Sequence, residues 1–213
     1  MSFDKYPKFV NLQQFQDYTI NYLQGNQQST FWHAGPLESD SELIKDKLIF
    51  INSNGFITID GQADFCNEQI QQKSYLEGYI AKSVGMELIQ WIQDRGLKYL
   101  AIDKNNKPFT NIQFVETNKK GKKFFNLTRQ REVNKEWELY TNLFEHNNYE
   151  MEFANWPRLI KLLKQDDYML LFIISPEYCI GLVEDVIIDF FNTRRSEFGR
   201  KQRKLRRKSR KRR

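Results

Sequence analysis

At 213 residues, with 40% hydrophobic and 15% aromatic content, the chain carries the apolar material for a folded core and is not composed like a disordered protein. Its net charge of +6 averages two opposites: residues 194–213 hold thirteen Lys and Arg against Glu197 alone, leaving 20 Lys and Arg against 26 Asp and Glu for residues 1–193. The longest apolar run, 169–174, falls far short of the roughly 20 residues of a membrane-crossing helix, and the opening residues lack the cationic start and apolar run of a secretory signal.

In chain order, Leu12, Phe15, Tyr18, Tyr22 and Leu23 recur at helical spacing, which predicts a helix over 11–23 with a stop at Gly25-Asn26. Residues 27–38, including Trp32 and His33, read as a loop. Ser39 and Glu42 have capping-box spacing, so a second helix is expected through Leu43, Ile44, Leu48 and Ile51 to Asn54-Gly55. Residues 56–60 read as a strand closed by Gly61, and, after a polar loop, 74–81 as another. Ser83 is placed to cap a helix with Val84, Leu88, Trp91 and Ile92 on one side, and 97–102 returns to strand.

Residues 109–116 and 123–128 read as strands joined through a turn at Gly121, while 129–147 fits strand and helix equally. Pro157 suits the first turn of a helix, where its missing N–H is no loss. A strand buried on both faces is expected over 167–174, then a helix over 181–192 with Glu184, Asp185 and Asp189 on its wet side. The alternation predicts an α/β class, as a mixed-sheet α/β or α+β sandwich. It forms a single domain over 1–193, followed by a disordered basic C-terminal tail, 194–213.

The tail carries the clearest physics. Arg194, Arg195, Arg200, Lys201, Arg203, Lys204, Arg206, Arg207, Lys208, Arg210, Lys211, Arg212 and Arg213 can neutralise phosphates and release counterions, which binds DNA or RNA without reading sequence. Only Phe198 and Leu205 interrupt the charge, so there is no series of aromatic stacking platforms. Two rival partners have the same chemistry: a nuclear import receptor that reads the cluster as an address, and an acidic protein surface. A membrane partner is not expected. The expected place is intracellular, in the nucleus or cytoplasm of a host cell or in a virion.

Catalytic signatures are absent from the sequence. His33, His146, Cys66 and Cys179 lack metal-ligand spacing, and no glycine array cradles a phosphate, so no metal, no cofactor and no catalytic residue is assigned. The two cysteines, far apart in the chain, argue against a disulfide and for a reducing compartment, with Cys179 read as core. One polar group next to short strands could line a ligand pocket: Thr58, Asp60, Gln62, Gln72, Lys73 and Tyr75, with Glu77 beside them. The bland reading of the same stretch is a turn glycine, a strand-edge threonine and buried tyrosines.

Asn52, Gly55, Phe56, Thr58, Gln62, Gln72, Tyr75, Gly78 and Tyr79 form a pattern that resembles a poorly characterised domain family of actinobacteria and large DNA viruses, over residues 40–100. The chain departs from that pattern at Gly61, Ala63 and Lys73, where the family pattern has serine, proline and arginine. The resemblance implies an α/β fold and a viral setting, and brings no activity with it. The expectation is therefore a non-enzymatic protein whose basic tail binds nucleic acid or directs it to the nucleus. The alternatives are a small-ligand module or enzyme using the strand-end cluster, and a protein-interaction module.

Overall fold

Residues 9–30, 35–105, 108–110, 115–117, 122–124, 127–133, 136–142 and 157–210 are described by the computed structural model. Trp32, His33, His146 and Lys211 to Arg213 lie outside them. Helix α1 (Leu12–Leu23) opens with Asn11, whose side chain accepts from the Gln14 N–H, and the chain turns away at Gly25 with φ +78°. The capping box at Ser39 does not form. Residues Ser39–Glu42 are themselves a short helix, α2, and α3 (Lys45–Ser53) follows as a separate one, neither with a side-chain cap. Within α2 the Ser41 hydroxyl donates to the Gly61 carbonyl at 3.1 Å, which ties this short helix to the chain around Gly61.

Gly55, at φ +92°, ends α3 and feeds strand β1 (Phe56–Gln62). Gly61 does not close this strand but lies within it, paired with Leu76 of β4 (Tyr75–Ala81), and a Cβ there would meet the Leu76 side chain at 2.5 Å. Between them the expected polar loop contains two short strands, β2 (Phe65–Cys66) and β3 (Ile70–Gln72). Helix α4 (Lys82–Gln93) starts straight from β4, with Ala81 at its N-cap and Ser83 inside the first turn rather than capping. Its first N–H, on Lys82, donates instead to the Asp167 carbonyl at 2.8 Å.

Strands β5 (Lys98–Ile102), β6 (Pro108–Thr110), β7 (Val115–Thr117) and β8 (Lys122–Phe124) follow. The ambiguous segment resolves into a β-hairpin, β9 (Leu127–Val133) with β10 (Glu136–Asn142). Helix α5 (Pro157–Gln165) does begin at the proline, and β11 (Tyr168–Ile174) is the buried strand expected.

The main sheet has the order β1-β4-β11-β5-β6, a second sheet the order β10-β9-β3-β2, and β7-β8 form a separate pair. Among the described residues every strand pairing is antiparallel, so the mixed sheet of the sequence reading is an antiparallel one. Strand periodicity explains how it is covered on both sides. Phe56, Leu76, Ile80, Met169, Leu171 and Ile173 face a core shared with α3, α4 and the last helix, α6 (Val183–Arg210). Ile57, Tyr79, Ile102 and Leu170 face a second core with Leu12 and Phe15 of α1 and Leu159 and Leu163 of α5.

Helix α6 departs furthest from expectation: it does not stop at Asn192 but runs for 28 residues into the basic segment. Lys, Arg and Gln are good helix formers, and a helix already nucleated by core packing extends at little cost. Among the described residues no helix is long and apolar enough to cross a membrane.

Candidate functional site

The basic segment is a rod rooted in the core. Val183, Ile187, Phe190 and Phe191 of α6 are buried, and Asp185 on its outer side pairs with Lys47 at 2.7 Å. Arg194 donates from Nε to the Glu87 carboxylate at 2.9 Å, and the Arg195 guanidinium lies over the Phe50 ring at 5.4 Å. These first two cations of the predicted arm therefore engage the body. Beyond them Arg200, Lys201 and Arg203 are exposed, and Lys204, Arg206, Arg207, Lys208 and Arg210 continue the helical backbone. At about 100° per residue, the basic positions from 200 to 210 occupy roughly two thirds of the helix circumference. Phe198, Gln202, Leu205 and Ser209 share the remaining stripe.

The strand-end cluster is a set of clamps around the β1–β4 pairing. Asn52 is fully buried at the end of α3: its Oδ1 accepts from the Thr58 N–H at 3.0 Å, and its Nδ2 donates to the Thr58 hydroxyl at 2.7 Å. Gln62 donates from Nε2 to the Lys73 carbonyl at 3.0 Å, and Gln72 to the Ala63 carbonyl at 2.7 Å. The Tyr75 hydroxyl donates to the exposed Asp60 carboxylate at 3.1 Å, while its ring packs near Phe172. Gly78 has no room for a Cβ, which would fall 2.7 Å from the Phe56 ring. Nearly every residue of the family-like pattern thus has a place in joining α3, β1 and β4.

Lys73 differs from the rest. It is buried, donates from Nζ to the Pro176 carbonyl at 2.7 Å, and sits 4.9 Å from the centre of the Tyr178 ring. Burial holds its ammonium below the usual lysine range, and the nearby Glu177 carboxylate opposes that shift. Next to it Ser74 donates to both carboxylate oxygens of Glu184, at 2.9 and 3.1 Å. Glu184 was expected on the wet side of α6 but is 2% exposed, and burial pushes its carboxyl above the usual value. A carboxyl flanked by Val183 and Val186 is buried because Ser74, just ahead of β4, supplies a hydroxyl to it.

Residues 175–182, between β11 and α6, lie against Lys73 through Pro176 and Tyr178, and the Ser175 N–H donates to the Ser74 carbonyl at 3.0 Å. This loop also carries a second correction. Cys179 is exposed, not core, and is disulfide-bonded to Cys66 of β2, with Cα atoms 5.6 Å apart across 113 residues of sequence. Separation along the chain set no limit, because β2 and the residue before it lie against the loop that follows β11. Beside the bridge is an open groove of about 490 Å³ lined by Glu38, Ser39, Leu43, Asp64, Phe65, Ile70 and Gln72. Of the residues singled out from sequence, Gln72 lines this groove, whereas Thr58 is placed inside with Asn52 and Asp60 stands outside with Tyr75. Among the described residues no cluster of three or more His, Cys, Asp or Glu side chains could hold a metal ion.

No family model matches the chain. Two curated plant proteins are similar to part of it. Methylenetetrahydrofolate reductase (NADH) 1 of Zea mays is 32% identical over 108 residues, and a probable methylenetetrahydrofolate reductase (NADH) of Oryza sativa subsp. japonica is 29% identical over 109. These stretches cover 43% and 44% of this chain but 18% of each relative.

Proposed function

We propose that the protein is a non-enzymatic nucleic-acid-binding factor, in which an acidic α/β body presents a basic helix to the phosphates of DNA or RNA. The observation that carries this reading is the continuity of α6: its first turns are packed in the core and the rest leads the basic positions away from the body. A helix with cations over most of its circumference suits a major groove, whose flanking backbones place phosphates on two sides of it. The residues 194–210 extend about 25 Å at roughly 1.5 Å each. Preformed, such a rod avoids part of the ordering cost that an unstructured arm carries into its complex.

The test is binding of the full chain to mixed-sequence duplex DNA and RNA across a salt series. If about six phosphates are neutralised, log K should fall against log salt with a slope of roughly −5 to −6, alike for unrelated sequences. A flat salt dependence would sink the proposal and leave the helix as an import address or a contact for an acidic protein.

A second reading rests on the groove beside β2 and β3, whose two carboxylates and apolar wall suit a small ligand with a cationic group. Thermal shifts with organic amines that vanish in Asp64→Asn would favour it over the first.

A further inference from the structure

We infer that the Cys66–Cys179 pair is a redox latch that holds loop 175–182 closed over Lys73. Three observations converge. Both cysteines are exposed, so a dithiol can reach them, and exposed bridges are the ones that tend to be labile rather than permanent. They join two pieces far apart in sequence, strand β2 and the loop that leads into α6, and add a covalent tie to the contact that Asp64 makes at Gly181. That loop covers the buried Lys73 through Pro176 and Tyr178.

The loop is also poised to relax. Cys179 itself has φ +66°, in the left-handed region that side-chain-bearing residues enter at a cost, and such conformations persist where the surroundings hold them. Gly181 follows at φ +49°, with Asp64 from the β2 side filling the space where a Cβ would be. With the bridge gone, the loop loses its one covalent tie to β2 and keeps non-covalent contacts, among them the Pro176 bond, the Tyr178 ring, the Ser175–Ser74 bond and the contact with Asp64.

The step balances as an ordinary thiol–disulfide exchange with a dithiol reductant. One thiolate of the reductant attacks a sulfur of the bridge, breaking the S–S bond, forming a mixed disulfide and releasing the other cysteine as a thiolate that takes up a proton. The second thiolate of the reductant then displaces the remaining cysteine, so two electrons and two protons reach the protein and the reductant leaves as its cyclic disulfide. The reduced form opens Lys73 to solvent, so its primary amine becomes accessible to an acylating reagent that the closed loop keeps away.

The experiment uses the full wild-type chain, air-oxidised and after dithiothreitol, each pulsed with an acetylating ester and followed by peptide mass spectrometry at Lys73. Lys73 should acetylate at least about tenfold faster in the reduced chain, as expected when a local opening removes protection, while Lys45 and Lys98 change little. Cys66→Ser should show the fast rate with or without reductant. Three outcomes overturn the latch: equal Lys73 rates in the two states, a bridge that resists native reduction, or intact-mass data showing that no bridge forms on oxidation. Circular dichroism of the reduced chain separates local release from unfolding, since global loss of helix with every lysine accelerated would also refute it.

Discussion

Asn52 shows how much one buried side chain can hold. It bonds to both the N–H and the hydroxyl of Thr58, and both residues are buried. Asn52→Ala should therefore destabilise the fold by about 2–4 kcal/mol, the cost of leaving two buried polar groups unmet, read as a shift in the urea midpoint. Gly78→Ala should cost at least about 3 kcal/mol, because the new methyl meets Ile57 backbone and the Phe56 ring in a core without slack. Glu184 makes a pH-dependent prediction. Its folded pKa lies above the ordinary value of 4.5, so the folded state binds the proton more tightly and stability falls as pH rises from 4.5 through the raised folded value. Glu184→Gln keeps an acceptor for Ser74, and should remove that fall and leave the protein at neutral pH as stable or up to about 1 kcal/mol more so, checked by chemical denaturation at pH 4.5 and 7.

At the scale of elements, the lesson lies in α6. Charge density alone reads as an unstructured arm, yet the anchored first turns and the helix propensity of Lys, Arg and Gln carry the backbone helix to Arg210. Replacing Lys204, Arg206, Arg207, Lys208 and Arg210 by glutamine should keep the helical circular dichroism and flatten the salt slope by about 2, in proportion to the share of the basic charges removed. Leu205→Pro should break the rod while keeping every charge. If preformation matters, affinity falls by about tenfold at unchanged salt slope. The strand pairings were the least legible elements. Two-residue β2 and three-residue β3 have no periodicity to detect, and the 129–142 hairpin was ambiguous because its apolar residues are too sparse to choose a period.

For the whole molecule, the division into a body and a basic segment has an energetic consequence. Among the described residues, the contacts crossing it include the exposed Arg194–Glu87 ion pair and Arg195 over Phe50, interactions of the kind that contribute little. A chain ending at residue 193 should thus retain its denaturation midpoint to within about 1 kcal/mol and lose its nucleic-acid binding.

Composition and periodicity by themselves determined the α/β class, most helices, the buried strand β11 and the opposed charges of body and tail. These depend on local preference and on which face of each element is apolar, and a linear pattern records both. Tertiary structure alone decided that the sheet is antiparallel, that Ser39 and Ser83 do not cap, that Glu184 is buried against Ser74, and that Cys66 meets Cys179. Each of these depends on which distant residue arrives as a partner, and a hydrogen-bond donor, a carboxylate or a thiol carries no mark in the sequence of what will come to meet it.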